Sequence, residues 1–300
     1  MTIRDKECLR NRKRMPENET KFVGKFIHSC SFSAQKDFLQ EAKLLHTASK
    51  TSEYIVDIIG IVLRPQVIIM KYHRNGSLDD ALLEDFNLFG GGDAGEFNII
   101  QRLKFIQQLC LALNALQNIN MVHRDIASRN LLLSDDRESI VLADFGLARK
   151  VNLDNLDQNV TATAVIPRTS PPEAWVKSAR MRNFGLKTDV WSVAITMFEI
   201  INMRPINDEF SELKILEGTQ AVIPKKLLLD DITIGKSFTR QIALWNLMLQ
   251  CWNIKPEMRP QIWEVEHRVK ELLLFPTGWK PKNYYVKWED DSYDNDIPSR

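Results

Sequence analysis

The sequence has no long hydrophobic run. No stretch approaches the roughly 18 apolar residues that a helix needs to cross a bilayer. The opening residues, MTIRDKECLRNRKRM, are polar and basic and lack the apolar centre of a secretory signal. We therefore expect a cytoplasmic chain with no transmembrane segment. The basic residues from Arg10 to Arg14 could form a localisation or lipid-binding patch, but a solvated arm is the simpler interpretation.

Cysteine is scarce and charge is balanced. The 300 residues include four cysteines, and no two of them have the spacing of a metal-binding pair. This disfavours a structural zinc site and indicates a reducing compartment. Cys110 and Cys251 lie in apolar helical patterns and are predicted to be core residues. The 40 basic and 39 acidic residues leave a net charge of +1, which gives no indication of a nucleic-acid partner.

The chain changes character after about residue 72. Before that point, FVGKFI, YIVDIIGIVL and QVIIMKY are rich in Ile and Val and predict strands, while SAQKDFLQEAKLLHTAS predicts a helix between the first two. After it, HRNGSLDD predicts a turn. Apolar residues then recur at helical spacing in RLKFIQQLCLALNALQNI and in three later segments. The pattern predicts an α+β fold with a small sheet lobe and a larger, mainly helical lobe.

Two short motifs give the strongest functional signal. HRDIASRN occupies residues 123–130 and DFG occupies residues 144–146, with a predicted strand between them. Asp and Asn are frequent in turns, so each motif alone has a structural interpretation. Together, with 19 residues from Asp125 to Asp144, they resemble the catalytic and metal-binding motifs of the protein kinase family.

The resemblance implies ATP as the phosphoryl donor and Mg²⁺ as the metal. Kinases catalyse transfer mainly by positioning and charge neutralisation. On this interpretation, Asp125 accepts the proton of the substrate hydroxyl or orients that hydroxyl. Asn130 and Asp144 would bind Mg²⁺, which prefers oxygen ligands. Gly146 is expected to let the backbone turn sharply after the metal ligand.

Later motifs follow in the family's order. SPPEAW (170–175) resembles its A-P-E motif, DVWS (189–192) the start of its central helix, and CWNIKPEMRP (251–260) a late helix motif. The resemblance implies that Asp189 supports the catalytic-loop backbone and that Arg259 pairs with Glu173.

These motifs define the expected domains. The implied fold is bilobal, with an antiparallel sheet and one helix in its N-lobe. The kinase domain is expected over residues 20–274, with the N-lobe ending near residue 72 and the C-lobe at 73–274. Residues 1–19 would form a basic arm and an incomplete start of the N-lobe, and residues 275–300 an acidic tail.

Lys25 is the candidate phosphate-binding lysine. It lies within the apolar run FVGKFI, and Glu41 follows 16 residues later on the predicted helix. The family pattern implies that the two pair and that Lys25 holds the α- and β-phosphates of ATP. The alternative is an ordinary exposed lysine, since Lys21 and Lys36 are close by. Lys25 is favoured because it alone lies inside the apolar run.

The stretch VIIMKYHRNGSL resembles the segment that binds adenine. It implies Met70 as the residue that limits the back of the pocket, a position equally compatible with plain core. Backbone groups of Lys71 and His73 would bind the adenine, and Leu132 would close the pocket from below. Val23 stands where the family usually has Ala, so the roof of the pocket is expected to be tight.

The catalytic loop resembles that of tyrosine kinases. Serine/threonine kinases usually have Lys two residues after the catalytic Asp; here that residue is Ala127, and the cation comes at Arg129. One position departs from the tyrosine-kinase pattern, because Thr169 stands where a Trp is usual. The segment from Asp144 to Glu173 contains no tyrosine, which excludes regulation by tyrosine phosphorylation there.

The glycine-rich loop of the family is missing before Lys25. Only Gly24 precedes the lysine, and it is expected to weaken its strand slightly. GGGDAG at residues 90–95 spells G-x-G-x-x-G, but no strand precedes it, so a linker is the better interpretation. Losing the loop should weaken ATP binding without removing a reactive group.

Three functions therefore stay open. The complete set of charged residues favours a protein tyrosine kinase that acts on tyrosine in protein substrates. The missing loop and Val23 favour a catalytically impaired pseudokinase that scaffolds partners. Thr169 leaves room for a serine/threonine kinase. We rank them in that order.

Overall fold

A computed structural model describes residues 21–26, 32–89, 95–151, 169–175, 185–203 and 238–274, with the side chains of residues 32, 33 and 238–242 left aside. The predictions about the N-terminal arm, the triple glycine and the acidic tail concern residues outside these ranges. Among the helices described, none combines the length and the apolar character that spanning a membrane requires.

The N-lobe is a three-stranded antiparallel sheet with one helix. Its strands are β1 (Phe22–Phe26), β2 (Ile58–Leu63) and β3 (Gln66–Lys71), in the order β1-β3-β2. Helix α1 (Phe32–Ser49) lies between β1 and β2 in the chain. The predicted order of strand, helix, strand and strand is confirmed.

Helix α1 is held by its apolar face. Phe38, Ala42 and Leu45 recur at helical spacing and are all buried. Burying a Phe or Leu side chain stabilises a fold by about 1.5–3 kcal/mol relative to leaving it exposed. The helix contacts β2 and β3, so this packing fixes the position of Glu41 beside the sheet.

Gly24 in β1 has a packing reason. It lies opposite Ile69 of β3, and a Cβ atom at this position would lie 2.8 Å from Cγ1 of Val67. Real Cβ atoms do not approach other atoms that closely, so a larger residue would displace the side chain of Val67. The glycine that the sequence marks as a weakness therefore permits close packing in the sheet.

The described C-lobe contains five helices and two small antiparallel sheets. The helices are α2 (Leu78–Phe89), α3 (Ile99–Asn118), α4 (Leu186–Asn202), α5 (Phe238–Cys251) and α6 (Ile262–Leu274). The paired strands are β4 (Met121–Val122) with β7 (Arg149–Lys150), and β5 (Leu131–Leu133) with β6 (Ile140–Leu142). The sequence predicts α3 to α6, whereas α2 was not predicted.

Helix α2 begins at a side-chain cap. The Ser77 hydroxyl accepts the N–H of Asp80 at 3.2 Å and donates to its Oδ2 at 2.8 Å. The first of these bonds satisfies one of the backbone N–H groups that the first turn of a helix leaves without partners. The NGSLDD stretch therefore contains the start of a helix as well as the predicted turn.

Helix α3 is the centre of the C-lobe. The Asn98 side chain accepts the N–H groups of Ile100 and Gln101 at 3.0 and 3.1 Å, which fixes its start. The helix packs against α4 and α6. The face predicted from the sequence is confirmed as core: Leu103, Ile106, Leu109, Leu113 and Leu116 are all buried.

Cys110 and Cys251 are buried free thiols, as predicted. Burial raises the pKa of Cys251 to about 12 and raises the pKa of Cys110 as well. Both side chains are therefore protonated at neutral pH and pack as small apolar groups.

A buried ion pair ties the segment before α4 to the loop before α6. Arg259 donates to the two carboxylate oxygens of Glu173 at 2.6 and 2.8 Å. Its guanidinium also lies over the Trp191 ring, 5.1 Å from the ring centroid. The predicted pairing of Arg259 with Glu173 is confirmed. Removing one partner of such a pair leaves a buried charge without its partner, which typically lowers the free energy of unfolding by about 3–5 kcal/mol.

Candidate active site

One ammonium joins the two lobes. Lys25 on β1 places its Nζ 2.6 Å from Oε1 of Glu41 on α1 and 2.8 Å from Oδ1 of Asp144. The predicted contact between Lys25 and Glu41 is confirmed. Asp144 comes from the C-lobe, 119 residues further along the chain. The three side chains therefore form a single charged cluster at the boundary between the lobes.

The charges of this cluster stabilise each other. Burial alone would lower the pKa of Lys25, but the carboxylates of Asp144 and Glu41 raise it above its ordinary value. Burial alone would raise the pKa of Asp144, but the Lys25 ammonium holds it below its ordinary value. At neutral pH the lysine is therefore a cation and Asp144 an anion.

The backbone at Asp144 is in the left-handed region. Its φ is 62° and its ψ is 75°, a conformation that Asp adopts more readily than most residues. The sharp turn thus occurs at the acid itself, and not at Gly146 as the sequence suggested. Gly146 donates its N–H to Oδ1 of Asp144 at 3.4 Å. A Cβ atom at Gly146 would lie 3.6 Å from both Lys25 and Glu41.

Asp125 is held by two neighbours in the catalytic loop. Arg129 forms an ion pair with its Oδ1. The amide nitrogen of Asn130 donates to the Asp125 carbonyl at 2.8 Å and to its Oδ2 at 2.9 Å. Because both amide hydrogens of Asn130 are used in this way, its carbonyl oxygen is the atom left for a cation.

A buried carboxylate accepts two hydrogen bonds from the backbone of the catalytic loop. Asp189, near the start of α4, accepts the N–H of His123 at 2.7 Å and the N–H of Arg124 at 2.9 Å. Arg124 has a φ of 71°, so this backbone turn is strained without its hydrogen bonds. The predicted supporting role of Asp189 is confirmed by these contacts.

His123 connects the catalytic loop to the DFG segment. Its Nε2 hydrogen-bonds with the Ala143 carbonyl at 3.1 Å, and its ring meets the Phe145 ring edge-on at 4.8 Å. Complete burial lowers the pKa of His123. A neutral imidazole that donates to the carbonyl satisfies this geometry, so His123 has a connecting role and no access to substrate.

The segment between the lobes is pinned to β5 and the turn after it. The His73 ring hydrogen-bonds with the Leu133 carbonyl at 3.2 Å, and Leu133 donates its N–H to the Gly76 carbonyl at 3.0 Å. Asn75 donates to the Ser134 carbonyl at 2.5 Å. These bonds order the chain at the place where the sequence predicts adenine binding.

The predicted adenine-contacting residues are brought together in part. Val23 and Met70 are cross-strand partners on β1 and β3, so their side chains share one face of the sheet. Leu132 forms a bridge with Ser77, at the end of the inter-lobe segment. Lys71 lies at the exposed end of β3.

The oxygen atoms of Asp144 and Asn130 suit Mg²⁺ better than they suit a metal ion that only protein side chains coordinate. Within the described residues there is no cluster of three or more His, Cys, Asp or Glu side chains that could hold a metal ion. Asp144 and the Asn130 amide oxygen offer two oxygen ligands. Mg²⁺ usually keeps its waters and binds through one or two carboxylates together with substrate phosphates, and this pair fits that habit.

Sequence reasoning missed one part of the site. Ser128 donates its hydroxyl to Glu199 on α4 at 2.7 Å and contacts Asp79 on α2 at 3.1 Å. These three residues are separated by 49 and 71 positions in the chain. The one available signal was the presence of a serine inside the catalytic motif.

Comparison with known proteins establishes the family. A model described as protein tyrosine and serine/threonine kinase matches residues 7–269. The chain belongs to this protein kinase family, and its small antiparallel N-lobe and helical C-lobe agree with that membership.

The curated relatives include two ephrin type-A receptors and a tyrosine-protein kinase. Ephrin type-A receptor 3 of Danio rerio is 30% identical over 260 residues, which cover 85% of this chain and 24% of the receptor. Ephrin type-A receptor 5 of Homo sapiens is 29% identical over 82% of this chain and 22% of the receptor. Tyrosine-protein kinase FRK of Homo sapiens is 25% identical over 84% of this chain and 46% of the relative. The chain thus spans about a quarter to a half of these proteins.

Proposed function

We propose that this chain is an ATP- and Mg²⁺-dependent protein tyrosine kinase. One observation carries the proposal: Lys25 joins Glu41 and Asp144 in one charged cluster, while Arg129 and Asn130 hold the nearby Asp125. Family membership supports phosphotransferase chemistry. The expected location is the cytoplasm, and the expected partners are proteins with accessible tyrosines.

ATP with Mg²⁺ would supply the phosphoryl group and neutralise much of its charge when bound. Lys25 would hold the α- and β-phosphates, and Glu41 would keep its ammonium in place. Asp144 and Asn130 would provide the oxygen ligands for Mg²⁺. For adenine, the Lys71 N–H already donates to the Asp57 carbonyl, so we assign its carbonyl instead.

His73 would contribute its N–H to the adenine. Its carbonyl accepts the Gly76 N–H at 3.2 Å, which leaves the amide for this task. Val23 and Met70 would contact the base from the sheet, and Leu132 from the C-lobe. The tight roof at Val23 is expected to lower affinity without blocking the site.

Asp125 would act on the nucleophile. As the phenol oxygen of the substrate bonds to the γ-phosphorus, its proton passes to the Asp125 carboxylate, and the bond to ADP breaks. Arg129 pairs with Asp125 and would keep that carboxylate oriented. A cation at this position, with Ala127 in place of lysine, favours tyrosine as the acceptor.

Transfer of phosphate from ATP to a tyrosine peptide tests the proposal. Asp125→Asn is the control, because it keeps the shape of the side chain and removes the proton acceptor. Peptides that offer serine or threonine in the same sequence test the remaining kinase class. Thr169 favours that class, because it stands where a tyrosine kinase usually has Trp.

A scaffold without nucleotide is the second candidate. It is favoured by the pairing of Val23 with Met70 across the sheet, where adenine is expected. Thermal unfolding with and without Mg²⁺-ATP separates the two functions. Stabilisation that is lost in Asp144→Asn supports the kinase, and no stabilisation at millimolar ATP supports the scaffold.

A further inference from the structure

Ser128 lies at the meeting point of the catalytic loop with two helices. It stands between Asp125 and Asn130 in the chain and is buried. Its backbone N–H donates to Oε2 of Glu199 at 3.0 Å. Its hydroxyl is 2.7 Å from the same Oε2 and 3.1 Å from Oδ1 of Asp79. One small side chain thus connects α2, the catalytic loop and α4.

The Ser128 hydroxyl has one hydrogen and two carboxylate neighbours. A serine hydroxyl donates one hydrogen and can accept others through its lone pairs. One hydrogen thus serves two carboxylate oxygens, and the shorter contact is the one with Glu199. Alanine at position 128 would keep the backbone bond to Glu199 and remove both hydroxyl contacts.

Burial and neighbouring groups act on the pKa of the Asp79 carboxyl in opposite directions. Burial raises the pKa of Asp79, and the neighbouring Asp80 carboxylate raises it further. The hydrogen bond from Ser128 and the charge of Arg129 act in the opposite direction without cancelling the rise. Charged neighbours of Asp79 thus come from α2 at Asp80, from the catalytic loop at Arg129 and from α4 at Glu199.

The two carboxylates that the Ser128 hydroxyl contacts lie in different helices. Asp79 lies in the first turn of α2, directly after the inter-lobe segment that the His73 and Asn75 side chains pin to the C-lobe. Glu199 lies near the end of α4, whose beginning carries Asp189. A hydroxyl between them can fix the catalytic loop against the inter-lobe segment and the core at once.

We propose that Ser128 is a positioning residue whose hydroxyl clasps α2 to α4 and thereby fixes Asp125 and Asn130. Its kinetic consequence rests on the proposed kinase function. The clasp itself is a property of the fold and has its own readout. Because Ser128 does not face substrate, its loss should act on catalytic geometry more than on binding.

Steady-state kinetics give the first readout. Ser128→Ala should lower kcat about tenfold and change KM for ATP and for peptide by less than about twofold, because misplaced catalytic groups slow chemistry at unchanged binding. Ser128→Thr restores the hydroxyl and should restore kcat. Thr196→Val is the matched control, because it removes a buried hydroxyl of α4 that bonds only within its own helix; kcat should stay at the parent's value.

Hydrogen exchange of the peptide that contains residues 123–130 gives the second readout. Exchange should rise in Ser128→Ala, return to the parent's rate in Ser128→Thr, and rise by a smaller amount in Asp79→Ala, which removes only one of the two hydroxyl contacts. The double variant should be no worse than Ser128→Ala alone, since Ser128→Ala already removes the contact that Asp79→Ala removes. Exchange in Asp79→Asn should rise less than in Asp79→Ala, because the amide oxygen of asparagine can still accept the Ser128 hydrogen.

The outcomes separate this proposal from the function. Additive effects of Ser128→Ala and Asp79→Ala on exchange would overturn the clasp, as would parental exchange in Ser128→Ala. If the parent transfers no phosphate while the exchange pattern is as expected, the proposed function fails and the clasp stands. If the parent is active and Ser128→Ala changes KM alone, the positioning role is wrong.

Discussion

Lys25 and Glu41 meet across 16 residues of sequence, and Lys25 also reaches an acid of the other lobe. The cluster is therefore both an ion pair of the N-lobe and a link between the lobes. Each of the two carboxylates raises the pKa of Lys25. Removing Lys25 should therefore lower the free energy of unfolding more than the loss of an isolated surface ion pair does.

Lys25→Met should reduce phosphate transfer at least about 100-fold, because the phosphates lose their cation while Glu41 and Asp144 lose their partner. Leaving the buried Glu41 without its partner should also lower the unfolding free energy by about 1–3 kcal/mol. Transfer assays and urea unfolding measure both effects. Lys36→Met, at an exposed position of α1, is the matched control; equal losses in the two variants would contradict the assignment.

Val23→Ala should tighten ATP binding. The smaller side chain leaves more room beside Met70, where adenine is expected, and one or two methyl groups in a pocket typically change affinity about tenfold or less. The rise in Tm at one fixed concentration of Mg²⁺-ATP measures this, because a more tightly bound ligand stabilises the folded state more. Val62→Ala, at an exposed position of β2, is the control. Weaker binding in Val23→Ala would show that the valine helps to hold the base.

Residues within one motif were predictable, and residues joined only by tertiary packing were not. The pairing of Lys25 with Glu41 follows from a family pattern with a fixed spacing. The contact of Ser128 with Asp79 and Glu199 depends on how helices α2 and α4 pack against the catalytic loop. Serine and aspartate are common in turns, so nothing in their local sequence distinguishes these two from ordinary loop residues.

Helices and strands were predicted well where apolar residues recur at a regular spacing. The points at which they begin and end were predicted less well. The strands and helices with clear periodicity occur where the sequence places them. Helix α2 was missed because Asn75, Gly76 and Asp79 are typical turn residues, and the short apolar pattern after them starts late. Its cap at Ser77 decides where the turn ends and the helix begins.

Ser77→Ala should lower the unfolding free energy by about 1 kcal/mol, because the first turn of α2 loses its capping oxygen. Urea unfolding measures the change. Ser77→Asn provides the matched variant, since Asn caps helices as well as Ser does, and it should be as stable as the parent. An equally unstable Ser77→Asn would show that the hydroxyl acts through packing and not as a cap.

The inter-lobe segment should be sensitive to acid at His73. Burial lowers the pKa of this imidazole from its ordinary value of 6.5, so the folded state keeps it neutral while the unfolded chain takes up a proton. Stability should therefore fall as pH drops below about 6.5, until the folded-state pKa is passed. Buried His123, whose pKa is also lowered, adds to the same trend.

Tm measured from pH 7.5 to 5 checks this prediction. His73→Gln should show a shallower fall in Tm than the parent, because it removes one of the groups that protonate on unfolding. Arg74→Gln is the control: it loosens the same segment by removing the bond to the Asp135 carbonyl and should keep the slope of the parent. Identical slopes for His73→Gln and the parent would contradict the assignment.

At the scale of the molecule, the candidate active site lies where the two lobes meet. The N-lobe supplies Lys25 and Glu41, and the C-lobe supplies Asp125, Asn130 and Asp144. The overall division into a small sheet lobe and a larger helical lobe was predictable, because the periodicity changes once along the chain. The close approach of the lobes was predictable only through the family resemblance, since composition and periodicity do not specify how two lobes pack.

The most direct test of the central claim is transfer of labelled phosphate from ATP to tyrosine in a peptide. The parent should form phosphotyrosine in the presence of Mg²⁺, whereas Asp125→Asn, with an unchanged Tm, should be at least about 100-fold slower. The account is contradicted if folded parent and Asp125→Asn give the same rate, or if the phosphate appears only on serine or threonine.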